Sequence, residues 1–143
     1  MKPARSRTRA LLAFGWPLAL LGLLLLLRWG MDGGNTAGRK LYERECQSCH
    51  LENGQGLRGW IPPVAGADYV QERGAELACL IVHGISDTLT VNGRRYAQPM
   101  PGVQKPLTPN EIAALINYLK TAWGKQGAPV SAPDVARALE QCP

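Results

Sequence analysis

From Ala10 to Leu27 the chain reads ALLAFGWPLALLGLLLLL, a run without a charged residue. No small domain can bury so long an apolar stretch in its own core, so the run divides the chain before any fold is considered. About 18 residues of helix at roughly 1.5 Å each reach roughly 27 Å, close to the hydrocarbon thickness of a bilayer. Lys2, Arg5, Arg7 and Arg9 stand before it, Arg28 and Trp29 after it. Basic residues stay on the cytoplasmic side, so the remainder of the chain is expected outside. A cleavable signal peptide is the competing reading. Its apolar region is usually shorter, about 7–15 residues, and ends in a small-x-small site. Arg28-Trp29-Gly30-Met31-Asp32 offers no such site. The expected organisation is a basic flank at 1–9, an uncleaved transmembrane signal anchor at 10–29 and a flexible, Gly-rich tether at 30–36. A folded domain at 37–124 follows, then a C-terminal extension with a short helix at 125–143.

The formal charge of +5 reports this topology and not a nucleic-acid partner. Five of the 16 Lys and Arg residues flank the apolar run, and all 11 Asp and Glu lie from Asp32 onward. The exported part is therefore formally neutral, and no polyanion site is expected.

Within that part the pattern is mainly helical. Helix is expected from about Thr36 or Ala37 through RKLYERECQSCH. Gly54, Gly56, Gly59 and Pro62-Pro63 then mark a long loop. Asp68 reads as an N-cap, and AELACLIVHG as a compact helix stopped by Gly84. Alternation around Asn92-Gly93 predicts a hairpin, because Asn-Gly accepts the positive φ of a type I′ turn. Thr108-Pro109-Asn110-Glu111 is a capping box, followed by Ile112, Leu115, Ile116 and Leu119 on one helical face, ending near Gly124. Ser131-Ala132-Pro133-Asp134 is a second, weaker helix start. One aliphatic face on each of three helices makes a thin core for about 100 residues, which a large apolar prosthetic group would complete.

Cys46-Gln47-Ser48-Cys49-His50 supplies the attachment point for such a group. C-x-x-C-H reads as c-type haem attachment. Thiols three residues apart on a helix share a face and can form thioethers to one porphyrin, and the adjacent imidazole reaches the iron. A redox C-x-x-C needs a βαβ setting, and a zinc site needs a second ligand pair that Cys79, His83 and Cys142 are poorly spaced to supply. Met100 is the one methionine beyond the anchor and tether, and it lies between Pro99 and Pro101. Flanking prolines hold that segment extended, making Met100 the candidate sixth ligand. Core filling is the bland alternative for Met100, and His83 is a rival ligand. Arg94 and Arg95 either pair with haem propionates or form the solvated face of the hairpin. Trp60 and Tyr96 either line the haem crevice or serve only as core. Cys79 and Cys142 either form a disulfide tying down the C-terminal tail or stay free.

These residues resemble a class I cytochrome c domain from about Ala37 to Trp123. The matching stretches are Y-x-x-x-C-x-x-C-H from Tyr42 to His50, G-x-G at Gly54 and Gly56, P-P-V-A-G from Pro62 to Gly66 and V-N-G-x-x-Y from Val91 to Tyr96. Met100-Pro101 and L-T-x-x-E-I-A-x-x-I-x-Y-L from Leu107 to Leu119 complete them. The resemblance implies an all-α fold around one covalent haem c, with a short hairpin-like loop and crossing N- and C-terminal helices that pair Leu41 and Tyr42 with the region of Tyr118 and Leu119. It implies His50 and Met100 as axial ligands, and Pro62, or else Pro63, as the carbonyl that orients His50. It implies one-electron transfer and not enzymatic turnover, on the periplasmic side of a bacterial inner membrane. The expected partners are redox proteins: a quinol-oxidising complex, a dehydrogenase, a terminal oxidase or a copper nitrite reductase. A haem-bearing subunit of a larger complex is the alternative, and a ligand-binding haem enzyme or sensor a third reading.

Overall fold

The computed structural model describes residues 8–123 and 127–143; within its first helix, side chains are described at 17, at 19–26 and from 36 onward. Lys2, Arg5 and Arg7 of the expected basic flank lie outside the described residues, as do the anchor side chains at 10–16, 18 and 27–29. The chain forms two compact units, Met1–Gly33 and Gly34–Pro143.

Helix α1, Thr8–Glu45, carries the chain from the first unit into the second. The first unit contributes Leu20, Leu21 and Leu23 to Leu26, all 47–66% exposed. Among the described residues no helix is long and apolar enough to cross a membrane. The expected tether at 30–36 departs from the structure, since helical backbone continues through it. Each Gly costs a helix only about 1 kcal/mol relative to Ala, and propagation from strong helix on both sides outweighs that. The division at Gly33 and Gly34 nevertheless falls inside the stretch read as a tether.

In the second unit, α1 is followed by α2 (Gln47–His50), a loop, α3 (Asp68–Arg73), a 3-10 turn (Gly74–Glu76) and α4 (Leu77–His83). Asp68 is not the N-cap; Ala67 is. From the first helical position, the Asp68 carboxylate accepts from the N–H groups of Tyr69 at 2.7 Å and Asn92 at 2.8 Å. Asn92 Oδ1 in turn accepts from the Asp68 N–H at 2.9 Å, joining α3 to the hairpin. That hairpin is β2 (Leu89–Val91) on β3 (Arg94–Tyr96), with positive φ at Asn92 and Gly93 as the sequence predicts. A second antiparallel pair lies outside the sequence pattern: β1 (Gly84–Ile85) bonds to β4 (Met100–Pro101). The unit is therefore helical with two small sheets and not purely α.

Helix α5 (Pro109–Thr121) opens on the predicted capping box, and α6 (Ala132–Glu140) opens on another at Ser131 and Asp134. Ile112, Leu115, Ile116 and Leu119 are buried together with Leu41, Tyr42, Leu77 and Ile81 in one core. The extension joins this core instead of trailing from it. Val135 is fully buried, Asn117 bonds both backbone groups of Val130 at 2.8 and 2.9 Å, and Cys79 is disulfide-bonded to Cys142.

Helices α1 and α5 meet at Gly38. A Cβ there would lie 2.2 Å from the Ala114 carbonyl oxygen and 2.6 Å from Tyr118 Cβ, so only hydrogen fits the contact. One turn on, Tyr42 packs against Tyr118 and Trp123 with ring centroids 5.7 and 5.5 Å away.

Candidate functional site

The end of α1 and α2 make a tight double turn around Cys46. Its N–H donates to the Tyr42 carbonyl at 2.9 Å, and its own carbonyl accepts from Cys49 at 3.1 Å and His50 at 2.9 Å. This places the two thiols one turn apart with His50 next to the second. Cys46 is half-buried and Cys49 exposed, and neither is in the disulfide. Burial, with smaller contributions from Glu45 and Cys49, pushes the Cys46 thiol up to about 12, so it stays protonated.

His50 is buried, with Nδ1 3.0 Å from the Pro62 carbonyl oxygen. Burial holds the imidazole below its ordinary value, opposed by that hydrogen bond. The ring is therefore neutral near pH 7, and because only Nδ1–H can donate to a carbonyl, Nε2 carries the free lone pair. The loop reaches His50 because Gly56 lies against the backbone of Ile61 and Pro62: a Cβ at Gly56 would sit 2.4 and 2.5 Å from their carbonyl oxygens. Pro62, not Pro63, supplies the acceptor.

A cavity of about 640 Å³ opens beside this turn. Cys46, Cys49, His50 and Met100 all line it, and Val70, Leu77, Ile81, Val91 and Leu119 form much of its apolar wall. Met100 is fixed through the backbone. It pairs with Ile85, Val103 N–H donates to the Ile81 carbonyl at 3.0 Å, and glycines permit the approach. A Cβ at Gly84 would stand 2.3 Å from the Met100 carbonyl oxygen, and one at Gly102 would stand 2.1 Å from that of Val82. In the sequence Gly84 marks only a helix stop, and Gly102 carries no evident role. Glycines on both sides of a candidate ligand were the available signal.

The remaining candidates are dispersed. Tyr96 is buried in the cavity wall. Trp60 also borders the cavity but is 69% exposed, so it stands at the rim and not in the core. Arg94 and Arg95 are exposed and neither lines the cavity. The Arg94 guanidinium lies over the Tyr96 ring at 5.8 Å and reaches toward Gly59. His83 is exposed at the end of α4, away from the cavity lining.

Two thiols, an imidazole with its lone pair free and a thioether converge on one apolar cavity of ligand size. That donor set fits haem c. Comparison with known proteins agrees: residues 36–123 match the cytochrome c family. The chain belongs to the cytochrome c family. As a member it carries covalently bound haem c and transfers electrons one at a time. It is 34% identical over 106 residues to cytochrome c-552 of Thermus thermophilus, covering 71% of this chain and 70% of that protein. It is 37% identical over 112 residues to the cytochrome c subunit of a quinone alcohol dehydrogenase from Gluconacetobacter polyoxogenes. It is also 31% identical over 105 residues to the cytochrome subunit of a fructose dehydrogenase from Gluconobacter japonicus. These alignments cover 75% and 70% of this cytochrome c but only 24% and 21% of the two subunits.

Proposed function

We propose that this cytochrome c is a membrane-tethered electron carrier in which Cys46 and Cys49 hold the haem by thioethers while His50 and Met100 bind its iron. The observation that carries this reading is the convergence of all four side chains on one apolar cavity. When bound, the haem supplies an iron that alternates between Fe(III) and Fe(II). Pro62 holds the proton on Nδ1, which raises the basicity of the ring and leaves Nε2 of His50 as the atom that would bind the iron. Met100 supplies a soft thioether from a clamped segment, and His/Met ligation raises the potential relative to two histidines. The apolar wall keeps water from the metal. Arg94, beside Tyr96 and Gly59, is the better placed of the two arginines to meet a propionate at the rim.

The tether reading rests on the uncharged run 10–27 and on its described leucines. They are exposed at consecutive positions, hence on all sides of the helix, as lipid-facing residues are. With the basic flank inside, the haem domain stands on the periplasmic side of a bacterial inner membrane, held near its partners at raised effective concentration. The partners are redox proteins: a quinol-oxidising or dehydrogenase complex as donor, an oxidase or nitrite reductase as acceptor. The two dehydrogenase subunits among its relatives favour a second reading, a cytochrome subunit of such a complex.

Purification from membranes in mild detergent tests both. A lone haem protein supports the carrier, and a stable stoichiometric complex supports the subunit. Release of the protein by alkaline carbonate alone would remove the anchor. The ligand assignment requires the near-infrared charge-transfer band of Met-ligated ferric haem. Its absence, with rapid CO binding by the ferrous protein, would overturn the carrier reading in favour of a ligand-binding haem protein.

A further inference from the structure

Leu51, the residue directly after His50, has φ 63° and ψ 168°, a conformation that almost only glycine adopts. Among the described residues Asn92 is the other non-glycine with positive φ, and its Asn-Gly turn accounts for it. Leu51 caps the C-terminal end of α2, a place where a positive φ is common but is usually taken by glycine. It persists because hydrogen bonds fix it on every side. Its N–H donates to the Gln47 carbonyl at 2.9 Å, and its carbonyl accepts from the Gly54 N–H at 3.1 Å and from the Tyr42 hydroxyl at 2.6 Å.

We infer that the Tyr42 hydroxyl is a positioning group for His50, acting through the backbone of Leu51. Leu51 is the joint between the turn that carries His50 and the loop that delivers the Pro62 carbonyl to its Nδ1. The same loop is tied back by the Gly56 N–H to the His50 carbonyl at 3.0 Å. Rotation at Leu51 toward an ordinary conformation would swing that loop away from the ring and lengthen the 3.0 Å contact. Tyr42 opposes the rotation from a fixed base, because its ring is wedged against Tyr118 and Trp123 where α1 crosses α5. Burial raises its phenol well above the ordinary range, so it remains a donor. The helix crossing is thereby coupled to the orientation of the proximal ligand, a role distinct from packing.

The inference rests on His50 binding the iron, which His50→Gly tests separately through loss of the low-spin ferric spectrum. In the haem-loaded protein, Tyr42→Phe keeps the aromatic stack and removes only the hydroxyl. It is expected to keep the low-spin spectrum, alter the g-anisotropy of the ferric EPR signal, raise the reduction potential as the ring loses basicity, and speed amide exchange at Gly54 and Gly56 at least tenfold. Leu51→Gly in the same chain removes the cost of the unusual φ, so the double variant should regain the wild-type g-values and potential. A change in stability alone, with EPR and potential unmoved, would reduce Tyr42 to a packing residue. Failure of Leu51→Gly to restore the signature would overturn the route through Leu51. Should Tyr42→Phe fail to retain haem, retention by the double variant supports the inference and loss in both refutes it.

Discussion

Cutting the disulfide between Cys79 and Cys142 should lower stability by an amount set by chain entropy. Cys79 and Cys142 are 63 residues apart, and the loop they close contains the end of α4, both small sheets, the Met100 segment, α5 and α6. Closing a loop of that length in the denatured chain removes entropy worth roughly 4 kcal/mol at 25 °C. Cys46 and Cys49, the candidate haem-attachment residues, lie outside the loop, so thioethers there would not substitute for it. Contacts that survive, Val135 in the core and the Asn117 clamp on Val130, keep α6 docked in the native state. The loss therefore acts mainly through the unfolded state. Guanidinium unfolding of Cys142→Ser is expected to show a fall of about 2–4 kcal/mol with a steeper denaturant dependence, since the uncrosslinked chain exposes more surface. Reductant should bring the wild type onto the curve of the variant and leave the variant unmoved. A fall below about 1 kcal/mol, or an equal effect of reductant on both proteins, would refute the entropic account.

Haem staining after boiling in detergent should persist in the wild type and vanish in the Cys46→Ala, Cys49→Ala double variant; persistence would exclude thioether attachment. Gly38→Ala puts a methyl into the Ala114 carbonyl and should destabilise the α1–α5 crossing by about 1–3 kcal/mol, seen as a lower Tm; an unchanged Tm would mean the helices separate freely. Asn117→Ala removes both bonds to Val130 and should cost about 1–3 kcal/mol with faster amide exchange at Val130; protection equal to the wild type would show the clamp is redundant. His50 contributes a pH dependence. Its folded value lies below 6.5, so the unfolded chain binds that proton more readily, and stability is full above about 6.5 and declines as pH falls. Denaturant titrations of the haem-free chain, in which the imidazole carries no iron, should weaken from pH 7 to pH 5; a flat profile would contradict a buried neutral ring.

Much of this was legible because it is local. The capping box at Thr108, the face formed by Ile112, Leu115, Ile116 and Leu119, and the Asn92-Gly93 turn each follow from residues a few positions apart. The C-x-x-C-H spacing is likewise a local statement. What escaped depends on contacts between distant segments. Nothing near Gly84 announces a partner at Met100, and Gly38 carries no mark of Ala114 until two helices cross. At 30–36 the converse holds: local Gly content argues against helix, while helix on both sides carries helical backbone through the stretch. The disulfide stayed open in the sequence because two cysteines 63 residues apart have no geometry until α6 docks.

Those distant contacts share a physical character that bears on electron transfer. The loop carrying Pro62 and the segment carrying Met100 are both seated by backbone against backbone, at Gly56 on one side and at Gly84 and Gly102 on the other. A side chain at any of these glycines would displace a peptide group and not a mobile side-chain tip, so neither segment can shift by small rotamer adjustments. The segments that position both candidate iron ligands are thus seated by close backbone contacts. An electron carrier benefits from this, because its coordination must be nearly the same before and after the electron moves. Gly102→Ala is the direct test: the methyl meets the Val82 carbonyl at 2.1 Å and must push the Met100 segment outward. It should weaken or abolish the Met-linked near-infrared band while haem stays covalently attached. An unchanged band would show that the segment yields without moving its methionine, and that rigidity there comes from something other than the backbone contact.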